Sequence, residues 1–105
     1  MTNLKEETLR VLKLYNKSIS DIRWIGNSNV EIPIDAFFDA ADREYDAGYG
    51  GTEVCEGLII VGDDWWLERH DYDGAEWWEF KTVPQRPWCK EEENILPYIF
   101  SDFDF

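Results

Sequence analysis

Positive charge is what this chain most lacks: ten Lys and Arg stand against 23 Asp and Glu, for a formal net charge of −13. A nucleic-acid binder needs clustered Lys and Arg to displace the counterions of a phosphate backbone. Direct DNA or RNA binding is therefore not expected, and an anionic membrane surface is disfavoured on the same ground. Long apolar runs are also missing. Nothing approaches the roughly 20 apolar residues of a membrane span, and the amino-terminal MTNLKEETLR has no apolar signal core. Cysteine is scarce: Cys55 and Cys89 stand alone, with no CxxC pairing to suggest zinc or redox chemistry. A cytoplasmic protein with reduced thiols is the expectation.

The residues that carry catalysis are equally sparse. His70 is the only histidine; it lies beside Glu68 and Asp71, but no nucleophile or pocket is evident, so it reads as a charge-paired surface histidine. RHDYDGAEWWEF alternates acids before a glycine, yet with Gly74 as the sharp-turn glycine of a calcium loop the two outer ligand positions fall on Arg69 and Phe80, neither an oxygen donor of the right kind. Gly48, Gly50 and Gly51 are followed by no GK[ST], which rejects a phosphate loop. No metal, cofactor or enzymatic activity is expected. A small hydrolase using a carboxylate pair, with Glu68 or Glu76 as a member, is the alternative from a different class.

Aromatic residues, by contrast, are plentiful. They make up 16% of the 105 residues within a hydrophobic fraction of 44%, which separates the chain from disordered acidic segments that lack the rings to offset the entropy of folding. One core is expected in a single α+β domain over residues 1–83, followed by an acidic, aromatic, Pro-containing tail over 84–105. The negative charge is regional: residues 1–47 carry −3 and the rest −10.

Asn3 and Glu6 resemble a capping box, and Leu4, Thr8, Val11, Leu12 and Tyr15 recur at helical spacing, predicting a first helix to about Asn16. Two short apolar runs, Ile22–Ile25 and Val30–Ile34, flank Gly26-Asn27-Ser28-Asn29 and predict a hairpin. Pro33 and Asp35 open a second helix. Its core face carries Ile34, Phe37, Phe38, Ala41 and Tyr45, with the glycines of DAGYGG beyond to end it. GLIIVG, DDWWLERHDY and DGAEWWEF then read as a three-stranded antiparallel meander, turning at Asp63-Asp64 and at Asp73-Gly74. Two helices packed on a small antiparallel sheet is the expected architecture. The tail is expected to strap across the domain through Ile95, Leu96, Tyr98, Ile99 and Phe100, and its last residues alternate rings with carboxylates.

Strand alternation assigns faces. Trp65, Leu67 and Arg69 share one side of their strand, and Trp66, Glu68 and His70 the other. Glu76, Trp78 and Phe80 oppose Trp77, Glu79 and Lys81. The sets Trp65/Leu67 and Trp78/Phe80 are expected to face the helices. Trp66 and Trp77 are then left among carboxylates on an outer face, where a ring stacks on guanidinium and acids pair with arginine. The candidate partner-binding residues are Asp63, Asp64, Trp66, Glu68, Asp71, Asp73, Glu76, Trp77 and Glu79, and the partner expected from charge is a basic protein.

The run IPIDAFFDAADREYDAGYGGTEV…LIIVGDDWWLERHDYDGAEWWEF resembles small acidic proteins carried by phages and mobile elements of Gram-positive bacteria, over roughly residues 20–87. That setting also hosts anti-CRISPR and anti-restriction proteins. The resemblance implies an inhibitor that occupies the DNA-binding groove of a host defence nuclease as a DNA mimic, since an RNA-guided nuclease holds its duplexes in a positively charged channel. An immunity protein that neutralises a basic toxin or nuclease would use the same acidic face.

Overall fold

The computed structural model describes residues 1–48, 51–88 and 93–101. Helix α1 spans Leu4–Leu14 and α2 spans Ile34–Ala41. Strands β1 (Thr2–Asn3) and β4 (Glu44–Tyr45) form a two-stranded sheet. Strands β2 (Trp24–Gly26), β3 (Glu31–Ile32), β5 (Ile59–Val61), β6 (Trp65–Tyr72) and β7 (Ala75–Thr82) form a second sheet in the order β3-β2-β5-β6-β7. All pairings are antiparallel. The fold is α+β, and the expected hairpin and meander are one five-stranded sheet, because β2 pairs with β5.

The side chain of Asn3 caps α1 by accepting the Glu6 N–H at 3.0 Å, which satisfies one of the donors a helix start leaves unpaired. Thr8 and Leu12 are buried from this helix and Phe37, Phe38 and Ala41 from α2. The second helix is shorter than its spacing suggests. It stops at Ala41, and Tyr45 reaches the interior from β4 instead, paired with Thr2 of β1. The bond from Leu4 N–H to the Arg43 carbonyl (3.2 Å) and that from Asn3 Nδ2 to Asp42 (3.0 Å) hold this corner. Non-local strand pairing thus overrides a locally helical pattern. The described glycines beyond it, Gly48 and Gly51, do not take the left-handed conformation, and Gly50 lies outside the described residues.

Two turns shape the long hairpin. Asp73 (φ 51°) and Gly74 (φ 87°) are consecutive left-handed residues between the paired Tyr72 and Ala75, the conformation whose twist matches that of the flanking strands. At the other end Gly62 N–H donates to the Trp65 carbonyl at 2.8 Å. A Cβ on Gly62 would lie 2.1 Å from the Trp65 ring, so the close approach requires glycine.

The core lies between the sheet and the two helices. Ile25, Ile60 and Leu67 stand in one cross-strand row that continues to Phe80, and the first three are fully buried. Burial of each such side chain contributes about 1.5–3 kcal/mol. Trp65 and Trp78 face this core as alternation predicts, with Leu12, Phe37 and Phe38 against it. Tyr15 stacks on Phe80 at 4.1 Å between ring centroids, and Phe80 on Trp65 at 5.7 Å.

The expected strap does not form among the described tail residues. Ile95, Leu96, Tyr98, Ile99 and Phe100 are all exposed, by 41% to 69%, around a short 3-10 turn at Leu96–Tyr98. Cys89 and the terminal acidic-aromatic residues 102–105 lie outside the described residues. Cys55 is an exposed free thiol. No helix among the described residues is long and apolar enough to cross a membrane.

Candidate partner-binding face

Because β6 and β7 alternate, the sheet has an inner face turned to the helices and an outer face that neither helix covers. Register places Trp24, Val61, Trp66 and Lys81 in one outer row and Gly26, Ile59, Glu68 and Glu79 in the next. His70 and Trp77 form a third. Trp24, Ile59, Val61, Trp66 and Trp77 are all partly exposed. Trp24, Ile59 and Val61 were not among the expected site residues, although the alternation within GLIIVG carries the signal for the last two.

Glu68 and Glu79 are direct cross-strand neighbours, a placement in which like charges repel. Three neighbouring side chains surround them. Trp66 Nε1–H donates to Glu68 Oε1 at 2.8 Å. His70 lies between the two acids, with Nε2 3.0 Å from Glu68 Oε2 and Nδ1 2.7 Å from Glu79 Oε2. Lys81 Nζ is 3.9 Å from Glu79 Oε1. The indole bond, assisted by His70 and opposed by partial burial, keeps the Glu68 carboxyl below its ordinary range. His70 is thus set between two acids, and its neighbours are Glu68 and Glu79 rather than Asp71.

The remaining acids of the hairpin sit at its ends. Asp63 and Asp64 are exposed at one end, Asp71 and Asp73 at the other. Asp63 is engaged in a bidentate pair with Arg23, at 2.6 and 2.9 Å, which holds its carboxyl below the usual carboxylate range. The two ends are separated by the length of β6, about 26 Å at ~3.3 Å per residue. The negative charge is thus arranged as three stations along one hairpin, with the Glu68–Glu79 pair in the middle.

Glu76 does not stand with them. It is 5% exposed on the inner face, where Arg69 Nη2 meets its Oε1 at 2.8 Å. The N–H groups of Glu53 and Val54 donate to its two oxygens at 2.7 and 3.1 Å. Burial pushes the Glu76 carboxyl up, but the Glu53 N–H, the Arg69 guanidinium and the Val54 N–H together hold it below its ordinary value of 4.5. Arg69 also reaches Glu7 Oε2 at 3.5 Å and the Tyr45 hydroxyl at 3.2 Å, and its guanidinium carbon lies 4.8 Å from the Trp78 ring centroid. Tyr45 donates to Glu7, and burial first, then that carboxylate acceptor, push its phenol up to about 12.

This cluster of Arg69, Glu7, Glu76 and Tyr45 ties α1, β4, β6, β7 and the 53–54 loop together. Its carboxylates are bonded to internal donors, so it is a structural knot. Glu7 and Tyr45 were not foreseen as charged or polar partners. Arg69 and Glu76 were legible as inner-face residues, which was the signal that they pair with each other.

A groove of about 400 Å³ lies behind the sheet between α2, β4 and the 53–58 loop, with Ile32, Phe37, Ala41, Val54 and Leu58 among its lining. None of the nine expected site residues borders it. Among the described residues, no group of three His, Cys, Asp or Glu side chains is placed to hold a metal ion.

Comparison with known proteins finds no family model, no curated protein and no solved structure that matches this chain.

Proposed function

We propose that the chain is a small acidic binding protein that inhibits a nucleic-acid-handling host defence enzyme, of the anti-CRISPR kind, by occupying its basic DNA-binding groove. The observation that carries this reading is the outer face that neither helix covers, where the partly exposed Trp66 and Trp77 stand beside the cross-strand pair Glu68 and Glu79. Rings with carboxylates beside them suit arginine, which stacks on an indole while its fork binds an acid. Asp64, Asp71 and Asp73 add charge at the two ends of the same hairpin. The net charge of −13 would accelerate approach to a cationic cleft. Glu76 is excluded from the binding set by its burial, and no bond need be made or broken by the protein.

The test is DNA cleavage by a purified RNA-guided nuclease preincubated with a molar excess of the protein. The reading expects loss of cleavage, relieved when guide and target duplex are loaded first. Unchanged cleavage across a panel of such nucleases overturns it.

A further inference from the structure

Resting on the reading of a basic partner, we infer that the partner is engaged by strand addition: an extended, arginine-bearing segment pairs with the edge of β7 beyond Glu76, where no described residue pairs with it. β7 is the last strand of the five-stranded sheet, and in an antiparallel ladder alternate residues direct their backbone groups to opposite sides. The Val83 N–H bonds the Asp64 carbonyl at 2.9 Å, and the register then turns the backbone groups of Trp77, Glu79 and Lys81 toward β6. Those of Glu76, Trp78 and Phe80 point away from it.

The far side already accepts chain. Glu76 N–H donates to the Ala47 carbonyl at 2.9 Å, so a loop segment lies against this edge at its first outward-facing residue. Beyond it, the Trp78 and Phe80 N–H groups make no hydrogen bond to any described residue. An edge with unpaired donors and acceptors is a template for another strand.

Charge selects the occupant. A second copy would bring together two bodies of −13 each, whereas a cationic strand is drawn to the edge. Side chains on the outer face of an added strand fall about 4.5–5.5 Å from their cross-strand neighbours, here Trp77, Glu79 and Lys81. An arginine beside Glu79 can take the carboxylate now shared with His70 and Lys81. A second arginine, two residues along, stacks on Trp77. Lys81 repels a third cation. The recognised pattern is therefore Arg-x-Arg with an uncharged residue at the next outward position beside Lys81.

The probe is the peptide TVRVRVT, with TVEVEVT as control, added to the isotope-labelled full chain while amide exchange and indole shifts are followed by NMR. In the free protein the Trp78 and Phe80 amides should exchange fast while those of Trp77 and Glu79 are protected. With TVRVRVT they should slow by about tenfold or more, with no effect from TVEVEVT, and Glu79→Gln should weaken the peptide's binding. Shifts of the Trp66 and Trp77 indoles without protection of these two amides would overturn strand addition while leaving a basic-partner surface in place. No perturbation by the peptide overturns it as well, and the cleavage assay then judges the parent reading separately. Protection that rises with protein concentration alone would identify a second copy as the occupant and likewise overturn the inference.

Discussion

Arg69 and Glu76 form an ion pair with both side chains 2% exposed, at 2.8 Å, across the inner face of the longest hairpin. The pair is diagonal in the ladder, since Arg69 stands opposite Trp78 and Glu76 opposite Asp71. A buried cation between Glu7 and Glu76 matters most when it is missing, because two carboxylates are then left without their partner. Arg69→Ala should destabilise the fold by about 3–5 kcal/mol, measured as a fall in the urea midpoint.

The same pair sets an acid limit. Glu76 has a folded-state pKa below its ordinary value of 4.5, so the unfolded chain binds a proton more readily than the folded one. Its contribution is fully present above the unfolded pKa and is lost as pH falls through the folded pKa. Stability measured from pH 6 downward should therefore decline below about pH 4.5, and Glu76→Gln should be less stable at pH 6 but decline less steeply. An equally steep acid limb in the variant would assign the effect to other carboxylates.

Thr8 is fully buried and joins two elements through one hydroxyl, accepting the Trp78 indole N–H at 2.9 Å and donating to the Leu4 carbonyl at 2.7 Å. Thr8→Val keeps the shape and leaves the indole donor unsatisfied. A loss of about 1–3 kcal/mol is expected, readable by thermal or urea unfolding.

The outer face should behave in the opposite way. Trp77 is partly exposed opposite His70, so Trp77→Ala should change stability by no more than about 1 kcal/mol. On the proposed reading, affinity for a basic partner should nevertheless fall by about 2 kcal/mol or more, roughly 30-fold. Calorimetric titration alongside urea unfolding separates the two effects.

Much of this arrangement is legible in the sequence because the deciding signals are local. Asn3 and Glu6 mark where α1 begins, Asp73-Gly74 marks the hairpin, and period-two alternation separates Trp65, Leu67 and Trp78 from Trp66, Glu68 and Trp77. Tyr45 was misplaced because it continues the i, i+4 series from Phe37 and Ala41. Its actual state is decided by Thr2, far away in sequence, through a two-residue sheet that no local pattern announces. Glu76 was misread for a different reason. Alternation put it on the inner face, but a carboxylate is ordinarily solvated, and only a buried arginine together with two loop N–H groups reverses that preference. The tail was expected to cover apolar surface, yet the rings of Tyr98 and Phe100 remain exposed.

On the proposed reading, the paired carboxylates of the outer face engage a cationic groove. Stopped-flow association of the protein with a purified RNA-guided nuclease, run from low to high salt for wild type and for the Glu68→Gln/Glu79→Gln double variant, is the deciding measurement. The wild-type association rate should fall steeply with salt, and the double variant should associate more slowly at low salt with a flatter dependence. Identical rates and salt slopes for the two proteins would contradict the claim.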